Sequence, residues 1–238
     1  MAEQAARPML FSGPMVRGLL EDRKEMTRRV LREQPPEQFL TGDVAAIYNH
    51  TQSRWAVSRC YAPGDPRNEA WPPDPEPGLR CPYGVPGDLL WVRETWCLKT
   101  YEHDEDEPPG YYYEATTRSP MLLCDEHGDP ILTESGRERS AWRPSIHMPR
   151  KASRITLRIT DVSLDRLQAI SEDDAWLEGI TEEEAYEFAD DGSPDPVLAF
   201  AELWDSINGA GAWKADPWVW TVSFEVIQKN VDEVLADG

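Results

Sequence analysis

The chain has 238 residues and carries 44 Asp and Glu against 24 Lys and Arg, a formal net charge of −20. A field of that sign repels phosphate backbones over most of a surface and argues against a general nucleic-acid binder, which ordinarily presents a basic face. Apolar residues at 40% and 10 tryptophans allow a sizeable core, while 21 prolines imply much irregular chain, so the length reads as a single domain, 1–238, carrying insertions.

Taken in order, the chain first offers Ser12 as an N-cap, Pro14 in a first helical turn, and Met15, Val16, Leu19 and Leu20 at helical spacing, a short helix that ends at Glu21-Asp22. From Met26 the run MTRRVL reads as a strand with Met26, Arg28 and Val30 on one face and Thr27, Arg29 and Leu31 on the other. Lys24 lies just before it and folds back toward Thr27 if a turn or bulge intervenes at Glu25.

Residues 33–86 are studded with proline and read as an insertion of surface loops with one short strand near Arg54 to Cys60. Its Trp55, Tyr61 and Trp71 either anchor the loops to the body or lid a pocket. After a turn at Gly87-Asp88, LLWVRETW forms a strand with Leu90, Val92 and Glu94 on one face and Leu89, Trp91, Arg93 and Thr95 on the other. Charges on an apolar strand must be paired or line a wet cavity, so Arg93 and Glu94 are either pocket residues or members of structural ion pairs. A second insertion spans 99–142, with an acidic loop over Tyr101–Pro109 and a strand over Tyr111–Thr117. Pro144 and Pro149 then bracket His147, which is either a loop histidine held by backbone or a ligand-contacting group at the entrance of the next strand.

That strand is the strongest in the chain, with Ile155, Leu157 and Ile159 alternating with Arg154, Thr156, Arg158 and Thr160. Three helices follow. Ser171 with Asp174 makes a capping signature for the first, which runs through Glu178 to a stop at Gly179. Thr181 starts the second, and Pro196 to Ile207 carries the stripe Val197, Phe200, Ala201, Trp204 of the third. Trp218 to Ile227 is the last strand, and residues 230–238 read as a flexible tail.

From Ser171 to Ser206 there are thirteen acids and no Lys or Arg, whereas Arg17 to Arg32 and Arg143 to Arg166 are locally basic. The pattern is either mutual neutralisation within the fold or a cationic pocket built from two distant segments. Cys60, Cys81, Cys97 and Cys124 lack CxxC spacing and read as free thiols; Cys124 with His127 lacks a second ligand pair, so no metal and no cofactor is expected. With no apolar leader and no run near the ~18 apolar residues of a membrane span, the chain reads as cytoplasmic, without a membrane partner.

The runs LFSGPMVRGLLEDRKEMTRR, PGDLLWVRETW and WDSIN…PWVWTVSFEVI resemble phage-type members of the ASCH domain family. The resemblance implies an α+β fold, a PUA-like mixed β-barrel with short helices covering it, here with two Pro-rich insertions. The family motif G-x-K-x-x-E-x-R falls on Asp22 to Arg29, with Asp22 in place of glycine and Thr27 in place of glutamate. Threonine at that position resembles the subgroup of N4-acetylcytidine amidohydrolases, which implies Lys24 and Thr27 as catalytic residues and, by alignment of the helix opening at Ile170-Ser171, Glu178 as the third. The chemistry wants these types. Amide hydrolysis at an exocyclic ring nitrogen needs a nucleophile, a base and a proton for the departing amine. Thr27 would be the nucleophile, Lys24 its base if burial and neighbouring cations keep it partly neutral, and Glu178 the group that orients the lysine or protonates the leaving nitrogen.

Arg29, Arg93 and His147 are candidates to polarise the substrate, Trp91 to stack on it and Glu94 to line its pocket; Arg28, on the other face of the strand, should matter least. A metal-independent hydrolase of small nucleosides or nucleobases is the first expectation. The second is a non-catalytic RNA or modified-nucleotide binding module, or a ribonuclease, of the same fold, with RNA disfavoured by the acidic exterior.

Overall fold

The computed structural model describes residues 6–35, 44–49, 54–59, 70–71, 79–99, 110–117, 121–124, 130–137, 139–189 and 192–237. Cys60, Tyr61, the 101–109 loop and His127 lie outside them, as do the side chains of Trp55 and Trp71. The chain is mixed α+β. Its main sheet has five strands in the order β1 (Ala6–Leu10), β6 (Leu89–Arg93), β9 (Thr156–Arg166), β10 (Trp218–Ile227), β2 (Met26–Val30). β1 lies parallel to β6, whereas β6–β9 and β10–β2 are antiparallel. The expected barrel is not closed: the sheet ends in β1 on one side and β2 on the other.

Chain contacts define two compact units: Met1–Asp22, Leu89–Arg158 and Val226–Gly238 form the first, and Arg23–Asp88 and Ile159–Glu225 the second. In the first unit, Pro8 is tolerated because β1 is an edge strand and needs no ladder donor on its free side. α1 (Gly13–Leu20) starts at Ser12 with Pro14 in its first turn, as the sequence indicates, and buries Val16 and Leu19. β7 (Trp96–Lys99) and β8 (Gly110–Tyr113) form a two-stranded sheet. Ile155 and Leu157 are fully buried, as the alternation requires. Thr156, on the opposite face, is buried as well, because its hydroxyl donates to the Lys229 carbonyl at 2.8 Å.

Two expectations fail on long-range packing. Residues 230–238 do not read as a tail in the structure, since Val231–Asp237 form α5. Val231 is fully buried against Leu89 and Trp91, and the Asn230 side chain donates to the carbonyls of Arg150 (3.0 Å) and Ser153 (2.6 Å). The first insertion holds more than one short strand: β3 (Val44–Asn49), β4 (Arg54–Arg59) and β5 (Ala70–Trp71) make a separate three-stranded antiparallel sheet. Its prolines all fall outside these strands, which is why proline content alone concealed them.

The second unit stacks α2 (Glu172–Leu177), α3 (Glu182–Tyr186) and α4 (Pro196–Asn208) around Leu167, Ile170, Ala175, Ile180, Ala185, Phe200, Trp204 and the Val219 side of β10. Ser171 accepts from the Asp174 amide and starts α2; Thr181 and Glu184 form a reciprocal capping box on α3. β10 is buried on both faces, Trp218, Trp220, Val222 and Phe224 on one and Val219 and Thr221 on the other.

Replacing Val231 by Ala removes two methyl groups from a sealed position. This should cost about 2 kcal/mol, a drop of roughly 4–8 °C in melting temperature. A frayed terminus would leave the melt unchanged.

Candidate functional site

Within the second unit, the segment from Arg23 to Glu25 runs along the C-terminal end of α2 and satisfies three successive carbonyls. The Glu25 amide donates to Leu177 O (2.9 Å), Lys24 Nζ to Glu178 O (2.7 Å) and Arg23 Nη1 to Gly179 O (2.7 Å). A helix C-terminus leaves carbonyls without partners and carries partial negative charge, so two cations and an amide suit it on both counts. The turn that brings Lys24 there uses Asp22 at φ 53°, a left-handed conformation that few residues other than glycine, asparagine and aspartate adopt. Gly179 matches it from the other side. At φ 94° it lets the backbone pass so close that a Cβ would stand 3.1 Å from Lys24 Cβ.

Lys24 is 1% exposed and Glu178 5% exposed. Besides the carbonyl, Lys24 Nζ donates to Glu178 Oε2 at 2.7 Å, so two of its hydrogen-bonding directions end on one residue 154 positions away. The other oxygen, Glu178 Oε1, accepts from Arg28 Nη1 at 3.3 Å, and Arg28 Nη2 donates to Asp174 Oδ2 at 2.7 Å. Arg28 lies on the expected face of β2, opposite Thr27 and Arg29, but it is that face that meets Glu178 and Asp174, so the expectation that it matters least is corrected. The register pairs Arg28 with Thr221, on the Val219 side of β10 against which α2 packs, whereas Thr27 and Arg29 pair with Val222 and Trp220 on the other face; Arg28 is 6% exposed there. The network passed over in the sequence therefore includes Arg28, Asp174 and Gly179. Asp174 was visible there only as a capping residue and Gly179 only as a helix stop.

Burial pushes the Lys24 ammonium below its ordinary value of 10.5; Glu178 opposes that shift and Arg29 and Arg28 add to it. Burial likewise lowers the Arg29 guanidinium, with Tyr83 and Glu178 opposing. Tyr83 is pushed up by its own burial, against the pull of Arg29. Thr27 is 1% exposed, in register with Val222 of β10. Its hydroxyl makes no hydrogen bond to Lys24. The structure thus joins Lys24 to Glu178 directly, places Arg29 within their field, and seats Thr27 in the same strand without linking it to the pair.

The other predicted residues belong to the first unit. Glu94, 1% exposed, receives a bidentate grip from Arg154, Nε and Nη2 each donating at 2.9 Å, and that guanidinium lies 4.0 Å from the Tyr113 ring centroid. Burial pushes the Glu94 carboxyl up, opposed by Arg154, and pushes the Tyr113 phenol up to about 12. Of the two roles open to Glu94, the structure gives it the structural ion pair. Trp91 is a core residue, 8% exposed against Leu89 and Val231, and Arg93 lies 5.5 Å from its ring centroid while donating to the Ile146 carbonyl. His147 is exposed in a single 3-10 turn, its amide donating to Pro144 O at 3.0 Å.

Among the described residues no group of His, Cys, Asp and Glu is arranged to hold a metal ion. Cys81, Cys97 and Cys124 are free thiols. No described helix is long and apolar enough to cross a membrane. Comparison with known protein families, with curated proteins and with solved structures gave no match.

Two outcomes follow from this geometry. Gly179→Ala, which adds both a left-handed alanine and a 3.1 Å approach to Lys24, should cost ~1–3 kcal/mol, read as a lower melting temperature. The second concerns pH. Because folded Lys24 releases its proton more readily than the unfolded chain does at 10.5, the unfolded state binds more protons between the lowered value and 10.5, and stability contributed by this residue rises with pH across that window. The melting temperature of the wild type should therefore gain on that of Lys24→Met as the pH is raised from neutrality toward 10.5.

Proposed function

We propose that the chain is an ASCH-type, PUA-like protein that hydrolyses N4-acylated cytosine nucleosides or bases, with Lys24, Thr27 and Glu178 as its catalytic groups. The observation that carries this reading is the buried Lys24–Glu178 pair, at 2.7 Å, sharing its field with two arginines. Arg28 meets the second oxygen of Glu178, and Arg29 and Arg28 both act against the protonated lysine. Three cations, Lys24, Arg28 and Arg29, stand with two carboxylates, Glu178 and Asp174; burial first, with Arg29 and Arg28 adding to it and Glu178 opposing, moves the lysine toward the free amine. A neutral amine has two N–H donors and one lone pair. Here both donors are met by Glu178 Oε2 and Glu178 O, which leaves the lone pair as the remaining direction on Nζ.

The reaction then runs in two halves. Lys24 takes the proton of the Thr27 hydroxyl as its oxygen attacks the acyl carbon, and the N4–acyl bond breaks as that proton passes to the departing exocyclic nitrogen. Water, deprotonated by the same amine, next cleaves the threonine ester to release the carboxylic acid and restore the hydroxyl. Glu178 orients the lysine throughout and stabilises it in the protonated interval. Arg29, which shares a face of β2 with Thr27, would stabilise the developing oxyanion, a role worth ~2.7–4 kcal/mol in comparable sites. This reading requires substrate binding to bring the Thr27 hydroxyl and Lys24 Nζ together, since Thr27 pairs with Val222 on the face of β2 opposite Arg28.

A second reading, a non-catalytic module binding a modified nucleotide, draws on the same cationic surplus, which would hold an anionic ligand without turnover.

Purified protein incubated with N4-acetylcytidine should release cytidine, followed by the ultraviolet change. Thr27→Val should abolish turnover and Thr27→Ser should keep a measurable part of it. Salt-sensitive nucleotide binding with no release of cytidine would move the assignment to the binding module, and full activity in Thr27→Val would remove Thr27 from the nucleophile's role.

A further inference from the structure

We infer that Asp174 is a positioning residue that, through Arg28, fixes the orientation of Glu178 and the charge state of Lys24. The relay is read from four side chains in line. Asp174 Oδ2 accepts from Arg28 Nη2 at 2.7 Å, Arg28 Nη1 reaches Glu178 Oε1 at 3.3 Å, and Glu178 Oε2 accepts from Lys24 at 2.7 Å. Each carboxylate oxygen of Glu178 therefore has its own cation, and neither competes for the other's partner.

Arg28 has little else to hold it. Its Nε is buried without a hydrogen-bond partner, and its further contact is Nη1 to Met26 Sδ at 3.2 Å. Without Asp174, nothing among the described residues keeps Nη2 away from Glu178. The guanidinium is then free to turn its fork onto the whole carboxylate, the preferred bidentate geometry, and take Oε2 from Lys24. Asp174 also differs from its partners in exposure: its side chain is 32% exposed against 3% for Arg28 and 4% for Glu178. It is the point at which solvent meets an otherwise sealed chain of charges.

The charged groups acting on Lys24 are Glu178, Arg29 and Arg28, and Tyr83 acts in turn on Arg29. Removing the Asp174 charge subtracts the only carboxylate besides Glu178 bound into this network among the described residues. The protonated lysine is then less favoured, and Lys24 gives up its proton at lower pH. Asp174→Asn is the suitable change because it keeps shape and leaves the backbone amide bonded to Ser171 Oγ at 3.1 Å, so the start of α2 is preserved.

The inference rests on the proposed function for its effect on rate, but not for its effect on charge. The experiment is therefore an NMR titration of the Lys24 side chain, through its 13Cε and 15Nζ signals, in the wild type, Asp174→Asn and Asp174→Glu, beside the N4-acetylcytidine assay on the same preparations. Expected are a midpoint moved to lower pH in Asp174→Asn and returned toward the wild-type value in Asp174→Glu. The acid limb of the kcat profile should follow the midpoint, with a roughly tenfold loss of kcat in the asparagine variant at its optimum. A Lys24 midpoint identical in wild type and Asp174→Asn overturns the relay, whatever the activity. A midpoint that moves in a protein that does not hydrolyse N4-acetylcytidine sustains the relay and removes the amidohydrolase reading instead.

Discussion

The second unit is built on a charge taken out of water. Lys24 and Glu178 are both buried, and each would cost several kcal/mol alone. Their attraction offsets that only because the remaining donors and acceptors are met: the lysine has the Glu178 carbonyl, and the carboxylate has Arg28. Removing one partner would leave the other charged and dry, a penalty of ~3–5 kcal/mol. The surrounding backbone follows from this demand. Asp22 turns left-handed to deliver the lysine, Gly179 does without a Cβ to receive it, and α2 ends where its free carbonyls face the arriving cations.

The electrostatics of the same cluster pull in two directions. A lysine serving only stability would be best paired one to one and fully charged. Here burial and two arginines push its proton off, while the glutamate and the end of α2 pull it on. The other buried carboxylate among those predicted, Glu94, makes the contrast. Among the described residues it has a single arginine, which grips both its oxygens and stacks on Tyr113.

Local pattern made much of this legible. The caps at Ser171 and Thr181, the edges of α1 and α4, the alternation in β9 and the extent of β10 all depend on neighbours within a few residues, and the sequence carries them. Lys24 and Glu178 were named through the motif and the helix opening, and they meet. What escaped depends on distance in the chain. Arg28 was placed on the right face of β2, but the sequence does not disclose that α2 covers that face. Val231 looked like part of a polar tail because its partners, Leu89 and Trp91, lie far upstream. Trp91 and Glu94 looked available because an apolar strand does not disclose which of its faces is covered.

The 154-residue separation between Lys24 and Glu178 also sets a timetable. β2 lies next to β10, a strand near the other end of the chain, and Lys24 finds its carboxylate only after β9 has been made. During synthesis the lysine leaves the ribosome long before its partner and remains an ordinary solvated amine until residue 178 and the helix that carries it have emerged. The closure of so long a loop is costly in entropy and places this unit among slow, non-local folders. Its charge pair is thus a late checkpoint: a nascent chain released before α2 would hold the whole basic segment from Arg23 to Arg29 and none of the acids that give it a purpose.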